Sequence, residues 1–245
     1  MLELKNIYRS VGNQNILKWI SWEFADWDVI GIVWPNGCWK TSLLNAINWY
    51  IKLESWTIQL DWTDISKYSV EQRANLWIWR VLQSFWIFKE LTIFENLALA
   101  YYNRLKRREK LLPIKYFPKK FREEIDEVLE EIELLQRKNE LAWNLSWWQM
   151  RLLEIARLYL QDTKLFLLDE PTSWVAPKFK QKVIGLLNKI IEQKKTVIIV
   201  EHDFEFLSQF VQKFYVMDNW RIVLEWDYDT VKNSDITKEI YLWKH

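Results

Sequence analysis

The chain has 245 residues, half of them apolar and 27% charged, and 34 basic against 33 acidic side chains leave a net charge of +1. This composition is typical of one large α/β domain, with or without a smaller appended subdomain, and excludes disordered and fibrous proteins. No apolar run approaches the roughly 18 residues that span a bilayer, and the N-terminus lacks the features of a signal peptide. The near-neutral charge argues against nucleic-acid binding, and a lone cysteine, Cys38, excludes a disulfide framework.

Short β-branched runs alternate with longer amphipathic stretches, which predicts βαβ units around a largely parallel sheet. Continuous apolar character is typical of strands covered on both faces. In chain order, the predicted elements are a strand over 29–33, a helix over 121–135, a strand over 165–169, a helix over 179–190, and strands over 196–201 and 213–218.

A phosphate-binding loop is predicted between the first of these strands and the amphipathic stretch after it. The pattern G-x-x-x-x-G-K-[ST] in a strand–loop–helix setting cradles phosphates with backbone N–H groups, and its lysine reaches the β and γ phosphates. This chain has every feature of the pattern except that tryptophan replaces both glycines. An indole beside the lysine would collide with the anion or force the loop open, so we expect the loop as written to bind nucleotide poorly. The loop residues are Trp34, Pro35, Asn36, Gly37, Cys38, Trp39, Lys40, Thr41 and Ser42.

Tryptophan stands at many positions where the backbone favours glycine. The chain contains 18 tryptophans and four glycines, whereas average usage predicts about 17 glycines. Read as glycine, Trp34 and Trp39 restore the phosphate loop, and Trp56 and Trp62 become turn glycines around Thr57–Leu60. We hypothesise that a UGA codon read as glycine in the source organism appears here as tryptophan. Only Trp22 lies where an aromatic side chain looks natural.

The same substitution completes motifs in the second half of the chain. Leu145-Ser-Trp-Trp-Gln149 becomes L-S-G-G-Q, Pro171-Thr-Ser-Trp-Val becomes P-T-S-G-V, and Asp218-Asn-Trp-Arg becomes a D-N-G-R turn between two strands. The run Leu165-Phe-Leu-Leu-Asp169-Glu170 is an apolar strand that ends in two carboxylates, and Val197-Ile-Ile-Val-Glu-His202-Asp ends a second strand in a histidine.

These motifs, in this order, resemble the ATP-binding subunit of an ABC transporter over essentially the whole chain. Residues 145–149 resemble the ABC signature and residues 165–170 resemble Walker B with its catalytic glutamate. The stretches 90–96, 151–157 and 197–203 are most similar to the ATPases of branched-chain amino-acid uptake, and lipopolysaccharide-export ATPases are close relatives. The resemblance implies a RecA-like P-loop NTPase core with a mostly parallel sheet and an antiparallel β part, over about 1–83 and 161–245, and an inserted helical subdomain over about 84–160.

The resemblance also implies a role for each motif residue in the hydrolysis of ATP with Mg²⁺. Glu170 would orient or deprotonate the attacking water, and His202 would hydrogen-bond the γ-phosphate. Thr41 and Asp169 would hold Mg²⁺, and Gln83 would contact the metal and the water. The nucleotide would be bound by the phosphate loop and by the signature residues Leu145, Ser146, Trp147, Trp148 and Gln149.

The family works in assemblies, so the resemblance implies partners. The signature of one chain faces the nucleotide of another, which implies a second ATP-binding subunit, either an identical chain or a paralogue. Without a membrane span, this chain would dock on the cytoplasmic face of a separate permease. Two features depart from the family pattern: Val11 stands near the place of the aromatic residue that stacks on adenine, with Tyr8 nearby, and Ala176 replaces the D-loop aspartate.

Three alternatives remain open. The substrate could be lipopolysaccharide, since ATPases of its export are close relatives. The chain could be a soluble ABC ATPase of translation or DNA repair, although such proteins usually carry tandem domains or long coiled-coil insertions. If the tryptophans are genuine, the chain would be a structural paralogue that does not bind nucleotide.

Overall fold

A computed structural model describes residues 2–11, 14–33, 40–47, 55–76, 78–81, 86–105, 113–161, 163–173, 175–218 and 221–235. Within these ranges, no helix is long and apolar enough to cross a membrane. The chain divides into two compact units, one comprising Met1–Arg80, Lys164–Glu170 and Lys194–His245, the other comprising Val81–Thr163 and Pro171–Gln193.

The first unit contains a four-stranded antiparallel sheet with the order β2-β1-β4-β5. Residues 2–5 of β1 and 57–60 of β4 alternate buried leucine and isoleucine with more exposed polar residues, a pattern that covers one face of a sheet. The strands are β1 (Leu2–Val11), β2 (Gln14–Phe24), β4 (Ser55–Leu60) and β5 (Thr63–Asp64).

The second sheet has six strands in the order β10-β9-β3-β8-β7-β6. Strands β9, β3, β8 and β7 are parallel neighbours, and β10 pairs antiparallel with β9. Strands β7 and β8 are buried at every position, so they are covered on both faces as their apolar sequences predict. The strands are β3 (Val29–Val33), β6 (Ile78–Val81), β7 (Leu165–Asp169), β8 (Thr196–Glu201), β9 (Lys213–Asp218) and β10 (Arg221–Trp226).

The core of the first unit joins the two sheets. Leu4 and Phe24 of the antiparallel sheet belong to the same buried cluster as Ile30, Ile198 and Met217 of the parallel sheet. Among the described residues, the helices that accompany these sheets are α1 (Lys40–Ile47), α2 (Val70–Asn75), α7 (Phe204–Leu207) and α8 (Tyr228–Asn233). The predicted α/β architecture with a mostly parallel sheet and an antiparallel part is therefore confirmed.

Helices dominate the second unit. Helix α4 buries the predicted stripe of Phe121, Ile125, Val128 and Leu129, and Phe121 packs edge-to-face against Tyr101 and Phe117. The longer helices are α3 (Ile93–Tyr101), α4 (Lys119–Glu131), α5 (Trp147–Leu160) and α6 (Lys180–Glu192). Short 3-10 helices cover Tyr102–Arg104, Ile114–Tyr116, Leu135–Arg137, Ala142–Asn144 and Pro177–Phe179.

Two tryptophans adopt backbone angles that favour glycine. The β4–β5 hairpin has a two-residue loop, Asp61-Trp62, in which both residues have positive φ (48° and 65°). A two-residue hairpin loop with φ above zero at both positions is the type I′ pattern that prefers Asp-Gly. Trp27 also has a positive φ, of 69°. The prediction that position 56 is a turn glycine is wrong, because Trp56 lies within strand β4.

Candidate functional site

The carboxyl ends of three adjacent strands bring the predicted site segments to one edge of the parallel sheet. Strand β3 pairs with β8 so that Val33 lies opposite Glu201, and β7 pairs with β8 so that Asp169 lies opposite Val200. The phosphate loop leaves β3, His202 follows β8, and Glu170 follows β7. Ligands of open α/β sheets bind at the carboxyl ends of the strands, so this edge is the candidate active site.

Asp169 is a buried carboxylate at the end of β7. Its Oδ2 accepts a hydrogen bond from Nη2 of Arg80 at 2.9 Å, and the two side chains are 0% and 2% exposed. Nη1 of Arg80 also donates to Oδ1 of Asn45 on α1. Since buried ion pairs interact strongly in a low dielectric, Arg80 fixes the orientation of this carboxylate. No sequence motif points to Arg80 or Asn45 as site residues.

Glu170 has an unusual backbone conformation next to the buried aspartate. Its φ is 48°, in the left-handed region, and its N–H donates to the carbonyl of Val200 at 2.9 Å. The side chain is half-buried. Left-handed conformations of residues other than glycine are rare and cluster at functional sites, where neighbouring structure enforces them. The turn therefore directs the chain sharply away from the strand at the proposed catalytic glutamate.

His202 lies at the end of β8 with an exposed side chain. Its Nδ1 is 3.5 Å from Oε2 of Glu201, and its N–H donates to the same oxygen at 3.2 Å. The Glu201 side chain is fully buried. These contacts place the Glu201 carboxylate next to the imidazole. The exposed ring remains accessible to a ligand at the sheet edge.

Several predicted site residues lie outside the described part of the chain. These are Trp34, Pro35, Asn36, Gly37, Cys38, Trp39 and Gln83, together with Trp174 and Trp220. Lys40, Thr41 and Ser42 form the first turn of α1, as the phosphate-loop pattern predicts. The donor chemistry expected of Asp169, Thr41 and Gln83 (carboxylate, hydroxyl and amide oxygens) fits Mg²⁺, which prefers oxygen ligands.

The signature segment forms the start of α5. Ser146 is the N-cap, and both its N–H and its hydroxyl donate to Oε1 of Gln149 at 3.0 Å. Leu145 is buried beside it, whereas Ser146 is exposed. An exposed N-terminus of a 14-residue helix has the backbone N–H groups and the dipole that attract an anion, as the predicted role requires.

Two tryptophans occupy the central positions of the signature. Trp147 is 63% exposed, and Nζ of Lys89 lies 6.0 Å from its ring centroid. Trp148 stacks on Phe179 with centroids 3.7 Å apart and an interplanar angle of 8°. These indoles cover surface that two glycines would leave open at the helix N-terminus.

The two departures from the family pattern lie in described segments. Tyr8 and Val11 are both in β1, with Val11 its last residue. Ala176 is half-buried and immediately precedes the 3-10 helix Pro177–Phe179.

Comparisons with known proteins agree on one family. A family model described as ABC transporter matches residues 17–173. The arginine transport ATP-binding protein ArtM of Bacillus subtilis is 27% identical over 226 residues, covering 91% of this chain and 90% of the relative. The branched-chain amino acid transport ATP-binding protein LivG of Salmonella typhimurium is 27% identical over 229 residues, covering 91% and 90%.

A further relative and a solved structure cover nearly the whole chain. The lipopolysaccharide export system ATP-binding protein LptB of Haemophilus influenzae is 26% identical over 242 residues, covering 99% of this chain and 97% of the relative. The structure of an ATP-binding cassette of an ABC transporter in its ADP conformation has a TM-score of 0.80 at 27% identity and covers 98% of each chain. This likeness confirms the predicted fold class, a RecA-like P-loop core with an inserted helical part.

Proposed function

This chain belongs to the ABC transporter family, and from that premise we propose that it hydrolyses ATP to drive solute transport through a separate permease. One observation carries the proposal: β3, β8 and β7 are adjacent and parallel, so the phosphate loop, His202, Asp169 and Glu170 follow strands that end at one edge. Phosphoryl transfer requires a phosphate cradle, a metal-binding carboxylate and a group that positions water in one place.

Each motif residue has a defined task in the proposed reaction. Asp169 and Thr41 would hold Mg²⁺, with Gln83 as a further ligand, and the ion would supply positive charge to the β and γ phosphates. Glu170 orients the attacking water and accepts its proton, and His202 donates a hydrogen bond to the γ-phosphate. Lys40 and the other loop residues bind the nucleotide.

The signature segment requires a second ATP-binding subunit. We infer that Leu145, Ser146, Gln149 and the residues at 147 and 148 bind the γ-phosphate held by a partner, which is an identical chain or a paralogue. The exposed Ser146 N-cap supports this role, because an anion can approach the helix from outside. We propose a RecA-like core over about 1–83 and 161–245 and a helical subdomain over about 84–160; the compact units differ from this division because Pro171–Gln193 belongs to the second unit. The assembly would sit on the cytoplasmic face of the membrane, against its permease, with no nucleic-acid partner.

Branched-chain amino-acid uptake is the substrate assignment that we favour. The relatives include LivG at 27% identity, and the stretches 90–96, 151–157 and 197–203 support this branch. ArtM and LptB, which are similarly distant, make arginine uptake and lipopolysaccharide export the competing assignments. Co-purification of the chain with its permease, followed by transport assays with labelled leucine, arginine and lipopolysaccharide, separates the three.

A second candidate function follows if the tryptophans are genuine, and the identity of these residues can be tested directly. With indoles at positions 34 and 39 the chain would be a structural subunit that does not bind ATP. A peptide mass spectrum of the protein from its own organism, over residues 34–39 and 145–149, comes first. Glycine at these positions supports the ATPase, and tryptophan supports the structural subunit.

The activity test compares two chains. One is the chain as written, and the other carries Trp34→Gly, Trp39→Gly, Trp147→Gly and Trp148→Gly. We expect Mg²⁺-dependent ATPase activity only from the glycine chain. Adding Glu170→Gln should lower its kcat by about 100-fold or more, because the proton acceptor is lost. A glycine chain that binds no ATP would refute the proposal.

A further inference from the structure

Helix α5 buries three charged side chains on one stripe. Arg151, Glu154 and Arg157 are 0%, 3% and 6% exposed and follow one another at a spacing of three residues. Nη1 of Arg151 donates to Oε2 of Glu154 at 2.7 Å. Burial raises the pKa of Glu154, and the two arginines oppose that shift; burial also lowers the pKa of Arg157.

Glu154 and Arg157 bind the backbone of a distant segment. Oε1 of Glu154 accepts the N–H of Trp86 at 3.1 Å, and Nη1 of Arg157 donates to the carbonyl of the same residue. The guanidinium carbon of Arg157 also lies 5.3 Å from the ring centroid of Phe88. The N–H and C=O of residue 86 are therefore both bound by charged side chains of one helix. These contacts use only backbone atoms of residue 86, so they do not depend on whether it is tryptophan or glycine.

A buried charged cluster need not add to the stability of a fold. Replacing a buried ion pair or triad by apolar residues of similar volume is often neutral or stabilising, whereas its hydrogen bonds impose a single geometry. The geometry imposed here is the position of residue 86 relative to α5. Residue 86 lies three positions after Gln83, and α5 begins at the signature serine, Ser146.

We propose that Glu154 and Arg157 are positioning residues that tie the segment after Gln83 to the signature helix, so that the two move together during the ATPase cycle. The inference rests on the proposed function, in which Gln83 senses the metal and the attacking water. Helix α5 is continuous from Trp147 to Leu160, so a displacement at Arg157 is carried to its N-terminus. A displacement of Gln83 during the ATPase cycle would then move the N-terminus of α5, which binds the partner's nucleotide.

The parent in this test is the full-length chain with Trp34→Gly, Trp39→Gly, Trp147→Gly and Trp148→Gly. In that background, Arg157→Met, Arg157→Lys and Glu154→Gln are compared with Leu158→Ala. Leu158 is a fully buried residue of the same helix, so its variant controls for loss of stability. Arg157 holds the carbonyl of residue 86 and Glu154 holds its N–H, so loss of either contact should loosen the segment. Arg157→Met should therefore speed amide exchange of residue 86 by about 10-fold or more, through this loosening. Its kcat should fall by about 10-fold while KM for ATP changes less than about twofold, because the phosphate loop is intact.

Amide exchange with and without a non-hydrolysable ATP analogue reads the coupling directly. In the parent, protection should change together at 86–88 and 146–150; in Arg157→Met, the response at 146–150 should be lost. Arg157→Lys should restore part of it, since lysine keeps the charge and a donor. Glu154→Gln removes the charge and leaves a weaker, neutral acceptor for the N–H of residue 86, so it should speed exchange at residue 86 and weaken the response at 146–150 without abolishing it. It tests the same link if Arg157→Met does not fold.

Three results would overturn the inference. Unchanged exchange at residue 86 in Arg157→Met would show that the contact does not hold the segment. A normal response at 146–150 in that variant would show that the two segments are not coupled. If Arg157→Met and Leu158→Ala lose kcat equally at equal thermal destabilisation, Arg157 acts only through the stability of the fold. An inactive parent instead counts against the proposed function, and exchange at residue 86, which needs no nucleotide, still tests the contact.

Discussion

Strand β2 and the β4–β5 hairpin belong to the same antiparallel sheet, and each carries a tryptophan in a different setting. Trp22 on β2 is 6% exposed, and its ring centroid lies 5.1 Å from that of Phe24 and 4.6 Å from that of Tyr215. Trp62 in the hairpin is 81% exposed and has a φ of 65°. Packing of the side chain explains tryptophan at 22, whereas the backbone at 62 favours a residue without a side chain.

This difference separates a tryptophan that the fold requires from one that the fold tolerates. A buried indole contributes a large area and aromatic contacts, which its loss would forfeit. An exposed indole at positive φ contributes little area, and its Cβ is strained in the left-handed region. If seventeen of the 18 tryptophans stand for glycine, as the sequence led us to hypothesise, substitutions at the two kinds of position should have opposite signs.

The largest effect is expected at Trp22. Trp22→Ala should lower the free energy of unfolding by about 3–5 kcal/mol, because it leaves a cavity among Phe24, Tyr215 and their neighbours. Urea denaturation followed by circular dichroism measures this without relying on tryptophan fluorescence. Trp62→Ala is the matched control and should change stability by less than about 0.5 kcal/mol. A loss below about 1 kcal/mol at Trp22 would mean that this indole is not part of the core.

A gain of stability is expected in the hairpin. Trp62→Gly should raise the free energy of unfolding by about 1 kcal/mol, since relief of a left-handed conformation (about 1–2 kcal/mol) outweighs the entropy that glycine loses on folding (about 0.5–1 kcal/mol). Trp62→Ala keeps a Cβ at positive φ and should gain little. The same urea measurement on both variants separates backbone strain from loss of an exposed indole. Equal stability of the two variants would contradict the glycine hypothesis at this position.

Much of the fold could be predicted from the sequence because its strands are continuous apolar runs. The predicted strands at 29–33, 165–169, 196–201 and 213–218 match β3, β7, β8 and β9 residue for residue. The predicted helix over 121–135 extends too far, since α4 ends at Glu131 and Glu133 takes a φ of 59°. In the turn that follows, Leu134 is buried, whereas Leu135, the last member of the predicted stripe, is half-buried.

The candidate site was less accessible to sequence reasoning. The ends of β7 and β8 could be located because a charged residue terminates an apolar run, which places Asp169, Glu170 and His202 at a strand end. The ion pair between Arg80 and Asp169 could not be predicted, since it joins residues 89 positions apart and depends on strand order. The contacts of α5 with residue 86 are equally long-range and involve only its backbone, which leaves no signature in the sequence.

The smallest effect is expected at Trp27, where strain and a favourable contact oppose each other. Trp27 has a φ of 69° and is 61% exposed, and Nζ of Lys194 lies 5.2 Å from its ring centroid. Trp27→Gly relieves the backbone but loses a cation–π contact of about 0.5–1 kcal/mol, so the net gain should be no more than about 0.5 kcal/mol. In the Lys194→Met background that contact is already absent, and Trp27→Gly should then gain as much as Trp62→Gly. Urea denaturation of the four chains of this cycle measures the difference, and an identical effect of Trp27→Gly in both backgrounds would show that the backbone alone determines the preference.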